Sequence, residues 1–201
     1  MNSKNLVYLI QVSLFSSIST VLAIIEIPLF FVPNIYKLDL SEAITLISGF
    51  YLGPLAAVLT SLLKTILILL IKGSSSLIIG EFANLIIGLS LSLPSAFIYK
   101  YKRTFKGACI GMIIGIVLSL LVSSIANYFI LIPLYSIIFS IPIQNIIDLG
   151  NMINKNIVDK TSFILWAVLP FNFVKSLLSC LLTIILYKKI SAFVNKLPQR
   201  L

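Results

Sequence analysis

The stretch Lys100–Ile132, KYKRTFKGACIGMIIGIVLSLLVSSIANYFILI, decides the fold. It opens on Lys100, Lys102, Arg103 and Lys106, and from Gly107 to Ile132 no side chain carries a charge. An uncharged run of about 20 residues is what a helix needs to cross the hydrocarbon core of a bilayer. The adjoining basic cluster marks the cytoplasmic side, because Lys and Arg accumulate in cytoplasmic loops.

The rest of the chain repeats this pattern. Of its 201 residues, 59% are hydrophobic and 10% charged, against about 25% charged in a soluble domain. The first apolar run starts at Leu6 and is too long for a signal-peptide core, so it reads as a membrane helix. The expected architecture is all-α, a single polytopic transmembrane domain over residues 1–201. Its six helices span about 6–31, 40–53, 55–72, 79–99, 107–132 and 162–187. The partly amphipathic segment 133–161 is expected to lie at the outer interface. The second helix, ending at Gly53-Pro54, is short for a crossing.

Charge counting sets the orientation. With the N-terminus inside, the cytoplasmic segments hold Lys4, Lys100, Lys102, Arg103, Lys106, Lys188, Lys189, Lys196 and Arg200 and no acid. The outer segments mix Lys37, Lys72, Lys155 and Lys160 with Asp39, Glu42, Asp148 and Asp159. Both termini are therefore expected in the cytoplasm. The net charge of +9 is a topology signal, with no nucleic-acid patch. There is no His, and Cys109 and Cys180 sit inside apolar runs, so neither a metal site nor a disulfide framework is expected.

Polar side chains at membrane depth are costly, which makes each a functional candidate. Glu81 and Asn84 share a face at the outer start of the fourth helix. Asn127 and Tyr128 lie near the outer end of the fifth. Phe171, Asn172 and Lys175 cluster in the outer half of the sixth, and the first outer loop adds Lys37, Leu38, Asp39 and Ser41. All four groups fall in one leaflet. Amides, a carboxylate, an ammonium and aromatics together suit an uncharged, planar heteroaromatic ligand. Each taken alone also reads as helix–helix glue. Lys64 lies deeper and reads as structural, pairing with Glu81 or Glu42. Gly107, Gly111, Gly115, Ser119 and Ser123 form a small-residue ridge for close helix packing. Ser13, Ser17, Ser19 and Ala23 make small-xxx-small pairs on the first helix that suit internal packing or docking of another membrane protein. No internal repeat and no GxxxxGK[ST] phosphate loop is present, so the economical reading is a substrate-capturing subunit that borrows its drive from partners.

Five segments, in this order, resemble the substrate-binding S components of energy-coupling factor (ECF) vitamin transporters, in particular the riboflavin-binding ones. They are LDLSEAITLISGFYLGPLAAVLTSLLK (Leu38–Lys64), GEFANLIIG (Gly80–Gly88), YKYKRTFKGACIGMIIG (Tyr99–Gly115), NYFILIPLY (Asn127–Tyr135) and LPFNFVKSLLS (Leu169–Ser179). The resemblance implies a six-helix S-component bundle in a bacterial-type cell membrane. It implies riboflavin as transported ligand, with no cofactor and no enzymatic activity. It also implies a transmembrane coupling subunit and two ABC-type ATPases as partners. The binding positions carried over are Leu38 with its neighbours Asp39 and Leu40, Glu81 with Ala83, Asn127, and Asn172 with Lys175. The family's alanine-xxx-alanine docking pattern on the first helix is replaced here by a serine-rich surface. Alternatives weighed are an S component for another vitamin such as pantothenate, an intramembrane enzyme, and a stand-alone facilitator. No nucleophile–base pair supports the enzyme, and no charged pore ring supports the facilitator.

Overall fold

A computed structural model describes residues 3–33, 36–74 and 78–194 of the chain. Lys196 and Arg200, which entered the charge count, lie outside the described residues, as do the side chains of Lys188 and Lys189. Helix α1, Ser3–Ile24, is apolar outside and polar inside: Ser16, Ser19 and Thr20 are buried, while Leu6, Ile10, Leu14, Ile18 and Val21 are exposed. This inversion of the soluble pattern is what a lipid solvent selects. The helix stops at Ile24 and does not reach Phe31. Residues Ile27–Pro28 (β1) instead pair antiparallel with Lys37–Leu38 (β2). Two features hold the chain there: Pro28 brings no amide proton, and the Glu26 carboxylate accepts from Lys37 (2.8 Å) and Lys72 (2.5 Å).

Helix α2, Ser41–Leu52, is buried from Ser41 through Phe50. Its 12 residues rise only about 18 Å, so it is enclosed by longer helices. Gly53, at φ 101°, turns the chain into α3, Pro54–Lys72, with Pro54 at the first helical position. Helix α4, Ile79–Tyr101, returns to the cytoplasmic side, and Thr104 caps α5, Phe105–Ala126, by accepting from the Gly107 amide at 3.0 Å. Along α5 the glycine ridge lies against α4. A Cβ on Gly111 would come within 2.8 Å of the Ser95 carbonyl oxygen, and the Ser95 hydroxyl donates to the Gly111 carbonyl (3.0 Å). Farther out the ridge turns to the last helix, where the Ser119 and Ser176 hydroxyls are 3.2 Å apart.

A π-helical turn, Asn127–Leu131, joins α5 to α6, Ile132–Ile138, carrying the fifth span beyond Ile132. Helix α7, Ile143–Ile153, buries Ile146, Ile147 and Gly150 on the outer side. Asp159 then caps the short α8, Lys160–Phe163. A second π-helical turn, Ile164–Val168, leads into α9, Leu169–Val194. An outer core gathers Val32, Leu38, Ile146, Phe163 and Phe171, and a cytoplasmic-side core gathers Leu46, Phe50, Leu91, Met112 and Cys180. Among the described residues, five spans are long and apolar enough to cross a membrane: Ser3–Ile24, Pro54–Lys72, Ile79–Tyr101, Phe105–Ile138 and Lys160–Tyr187. The sixth element, α2, runs among them. The protein is a multi-pass membrane bundle.

Candidate functional site: an outward-facing pair of cavities

Short α2 and the β1–β2 hairpin leave space near the outer ends of α3, α4, α5 and α9, and two adjoining cavities occupy it. The first is lined by Tyr36, Ala83, Asn84, Asn127, Phe171 and Asn172, with Ile87, Leu131, Ile132 and Tyr135 completing an apolar wall. The second, about 610 Å³, is the charged one, lined by Glu26, Lys37, Asp39, Ser41, Lys64, Lys72 and Glu81. Asn84, Lys37, Gly80, Tyr135 and Ile141 border both.

The amides are set by their helices. The Asn127 amide nitrogen donates to the Ser123 carbonyl one turn earlier (2.8 Å), and its oxygen accepts from the Tyr36 hydroxyl (2.8 Å). The Asn172 amide nitrogen donates to the Val168 carbonyl (2.9 Å), leaving its oxygen to accept from a ligand. The Asn84 oxygen accepts from the Lys175 ammonium (3.0 Å), leaving its NH2 to donate. Asn84 and Asn172 therefore present a donor and an acceptor to the same cavity. The Tyr36 ring lies 5.2 Å from that of Phe171, tilted by 50°. Burial, with Tyr135 nearby, pushes the Tyr36 phenol well above its ordinary pKa, which keeps it a neutral donor.

A buried polar ladder underlies both cavities. Lys175 donates to Asp39 (2.7 Å), the Ser41 hydroxyl donates to the same carboxylate, Lys64 donates to Ser41 (3.1 Å), and Lys64 pairs with Glu42 (2.5 Å). Two ammoniums thus meet two carboxylates with the charges balanced. Asp39 lies in the linker between β2 and α2. Burial alone would raise its pKa, but Lys175 and Lys64 outweigh burial and hold it down at about 2. Gly88 of α4 leaves room for the Glu42 carboxylate, which occupies the space a Cβ would need.

The residues expected from the sequence divide into three groups. Ala83, Asn84, Asn127, Phe171 and Asn172 line the first cavity, Asp39 and Glu81 line the second, and Lys175 reaches both sets through Asn84 and Asp39. Leu38 and Leu40 sit behind the site in the outer core. Tyr128 packs on the same core, its ring 4.2 Å from the Lys160 ammonium, and is not among the residues that line either cavity. Lys64 pairs with Glu42, one of its two expected partners. Of the first-helix residues, Ser19 is buried and donates to the Ser41 carbonyl (2.9 Å), and Ala23 borders the second cavity. Ser13 and Ser17 are exposed. Tyr36 and Tyr135 were not singled out from the sequence. The available signal was an aromatic beside each polar cluster at the outer interface.

Known proteins resemble this chain over nearly its whole length. A family model described as "ECF transporter, substrate-specific component" matches residues 7–187. The chain is 34% identical over 189 residues to the riboflavin transporter RibU of Staphylococcus aureus (strain TCH60), covering 94% of this chain and 93% of the relative. It is 28% identical to the riboflavin transporter FmnP of Bacillus subtilis (strain 168), covering 94% of each. A solved structure described as the S component of a bacterial ECF transporter superposes with a TM-score of 0.73 at 31% identity, covering 94% of this chain and 98% of that one. With helices, ladder and cavities arranged as described, the chain belongs to the substrate-specific components of ECF transporters.

Proposed function

We propose that this chain captures riboflavin from the outside and holds it for uptake driven by partner subunits. The observation that carries the proposal is the first cavity. Its Tyr36 and Phe171 rings offer apolar faces to a flat ring system, and Asn84 and Asn172 offer a donor beside an acceptor, which an imide edge requires. The curated relatives named as riboflavin transporters support the same ligand. The charged second cavity would receive the hydroxylated chain of the vitamin, with Asp39, Ser41 and Lys37 as polar contacts. Riboflavin is then transported cargo, with no chemistry performed on it.

An ECF coupling subunit and a pair of ATPases would supply the energy, since the chain itself contains no GxxxxGK[ST] phosphate loop. Ser13 and Ser17, on the exposed face of α1, are the part of the serine-rich surface open to such a partner. The test is ligand capture by the purified chain. Riboflavin should copurify with it, and its fluorescence should be quenched on rebinding. A folded preparation that takes up pantothenate but leaves riboflavin fluorescence unchanged would overturn the assignment.

A further inference from the structure

A third cavity, about 470 Å³, opens at the opposite, cytoplasmic end of the bundle. It exists because α2 is short: the corner at Gly53 stops before the ends of α1 and α4, and nothing lies within 4 Å of where a Gly53 Cβ would stand. Tyr8, Leu55 and Phe97 form its walls, and Lys100 and Arg103 stand at its rim. The wall at Tyr99 is fixed, with its ring 4.8 Å from that of Phe50 and its hydroxyl 2.8 Å from that of Tyr187. All six acidic residues of the chain, Glu26, Asp39, Glu42, Glu81, Asp148 and Asp159, lie elsewhere in the fold. Tyr51, Leu55 and Phe97 in its lining are exposed, so the cleft borders the lipid.

We propose that this cleft binds one anionic phospholipid of the cytoplasmic leaflet. Its phosphate sits between Lys100 and Arg103, and an acyl chain lies along Leu55 and Phe97. A cytoplasmic excess of basic residues is expected of any membrane protein. A recessed apolar cleft with two cations at its mouth and, among the described residues, no acidic side chain to compete is the added feature, and it matches both halves of an anionic lipid. The guanidinium of Arg103 can engage a phosphate through two parallel N–H donors.

The test uses the full-length chain, delipidated in detergent and titrated with phosphatidylglycerol or phosphatidylcholine, with bound lipid counted by native mass spectrometry. One phosphatidylglycerol should be retained, at least tenfold more tightly than phosphatidylcholine. The double substitution Lys100→Gln/Arg103→Gln should cut that affinity by about tenfold or more. Leu55→Trp, which fills the cleft without changing charge, should do the same, and it decides the matter should the first variant fail to fold. Lys102→Gln/Lys106→Gln should bind as wild type, and all variants are compared at unchanged unfolding temperature. Four results would each overturn the proposal: no preference between the lipids, equal loss in the Lys102/Lys106 variant, displacement by millimolar inorganic phosphate alone, or loss of a copurifying subunit with lipid retention intact.

Discussion

Lys175 and Asp39 stand 136 positions apart in the chain and 2.7 Å apart in the fold. Both were legible as polar groups at one depth, but their pairing was not, because periodicity carries no information about contacts between distant elements. Removing one partner of a buried pair strands the other charge, so Lys175→Ala should destabilise the protein by about 3–5 kcal/mol, read as a lower unfolding temperature in detergent. The Asp39 carboxyl, held at about 2, lies below the ordinary carboxylate range. Its contribution is therefore complete above that range and is lost only as pH falls through it toward 2. With no histidine in the chain, both stability and riboflavin affinity should stay flat between about pH 8 and 5, measured by unfolding and fluorescence titration. Asn172→Ala should weaken riboflavin by roughly 1–3 kcal/mol, since it leaves a polar edge of the ligand unpaired in a dry site. Arg103→Ala, at the opposite end, should bind riboflavin as wild type.

Among the elements, the glycine–serine ridge of α5 was readable from its spacing of four. Its partners, α4 and then α9, were not, because small residues advertise close approach without naming what approaches. The second helix was recognisable as too short, and its enclosure supplies the reason: α2 is a buried post that other helices surround. Two glycines beside that post make this testable. Gly88→Ala would put a methyl where the Glu42 carboxylate lies and push it from Lys64. It should cost about 1–3 kcal/mol or more and weaken ligand binding through the disturbed ladder. Gly53→Ala meets open space but keeps φ at 101°, so its penalty is backbone strain alone, about 1–3 kcal/mol, with riboflavin affinity retained. Thermal unfolding and fluorescence quenching, run on both variants, separate the two cases. The β1–β2 hairpin escaped the sequence because two-residue strands carry no alternation to read, and the stretch from Ile24 to Phe31 stays mostly apolar, interrupted only at Glu26 and Pro28.

For the whole molecule, orientation was the most legible property. The sign asymmetry of the loops is a global count, insensitive to errors in any one helix boundary. It placed Asn84, Asn127, Phe171 and Asn172 in one leaflet, where they line one cavity, joined there by Ala83, which only the family resemblance had indicated. As a capture subunit without its own drive, the chain reconstituted alone in liposomes should bind riboflavin yet not accumulate it. Uptake against a gradient by the chain alone would contradict the proposed division of labour. The π-helical turns were invisible in the sequence, and their consequence reaches furthest. Each absorbs one residue more than an α-helical path needs in a wider turn, so the helix on either side keeps its course. The outer ends of the fifth and last spans therefore carry an extra residue without disturbing the glycine–serine seam below. Deleting one residue from Asn127–Leu131 should close the turn to an α-helical one, shifting Asn127 and Leu131 at the cavity wall while leaving the seam in register. In this scaffold, a single-residue change in that turn is a way to reshape the outer cavity that leaves the membrane-embedded frame unchanged.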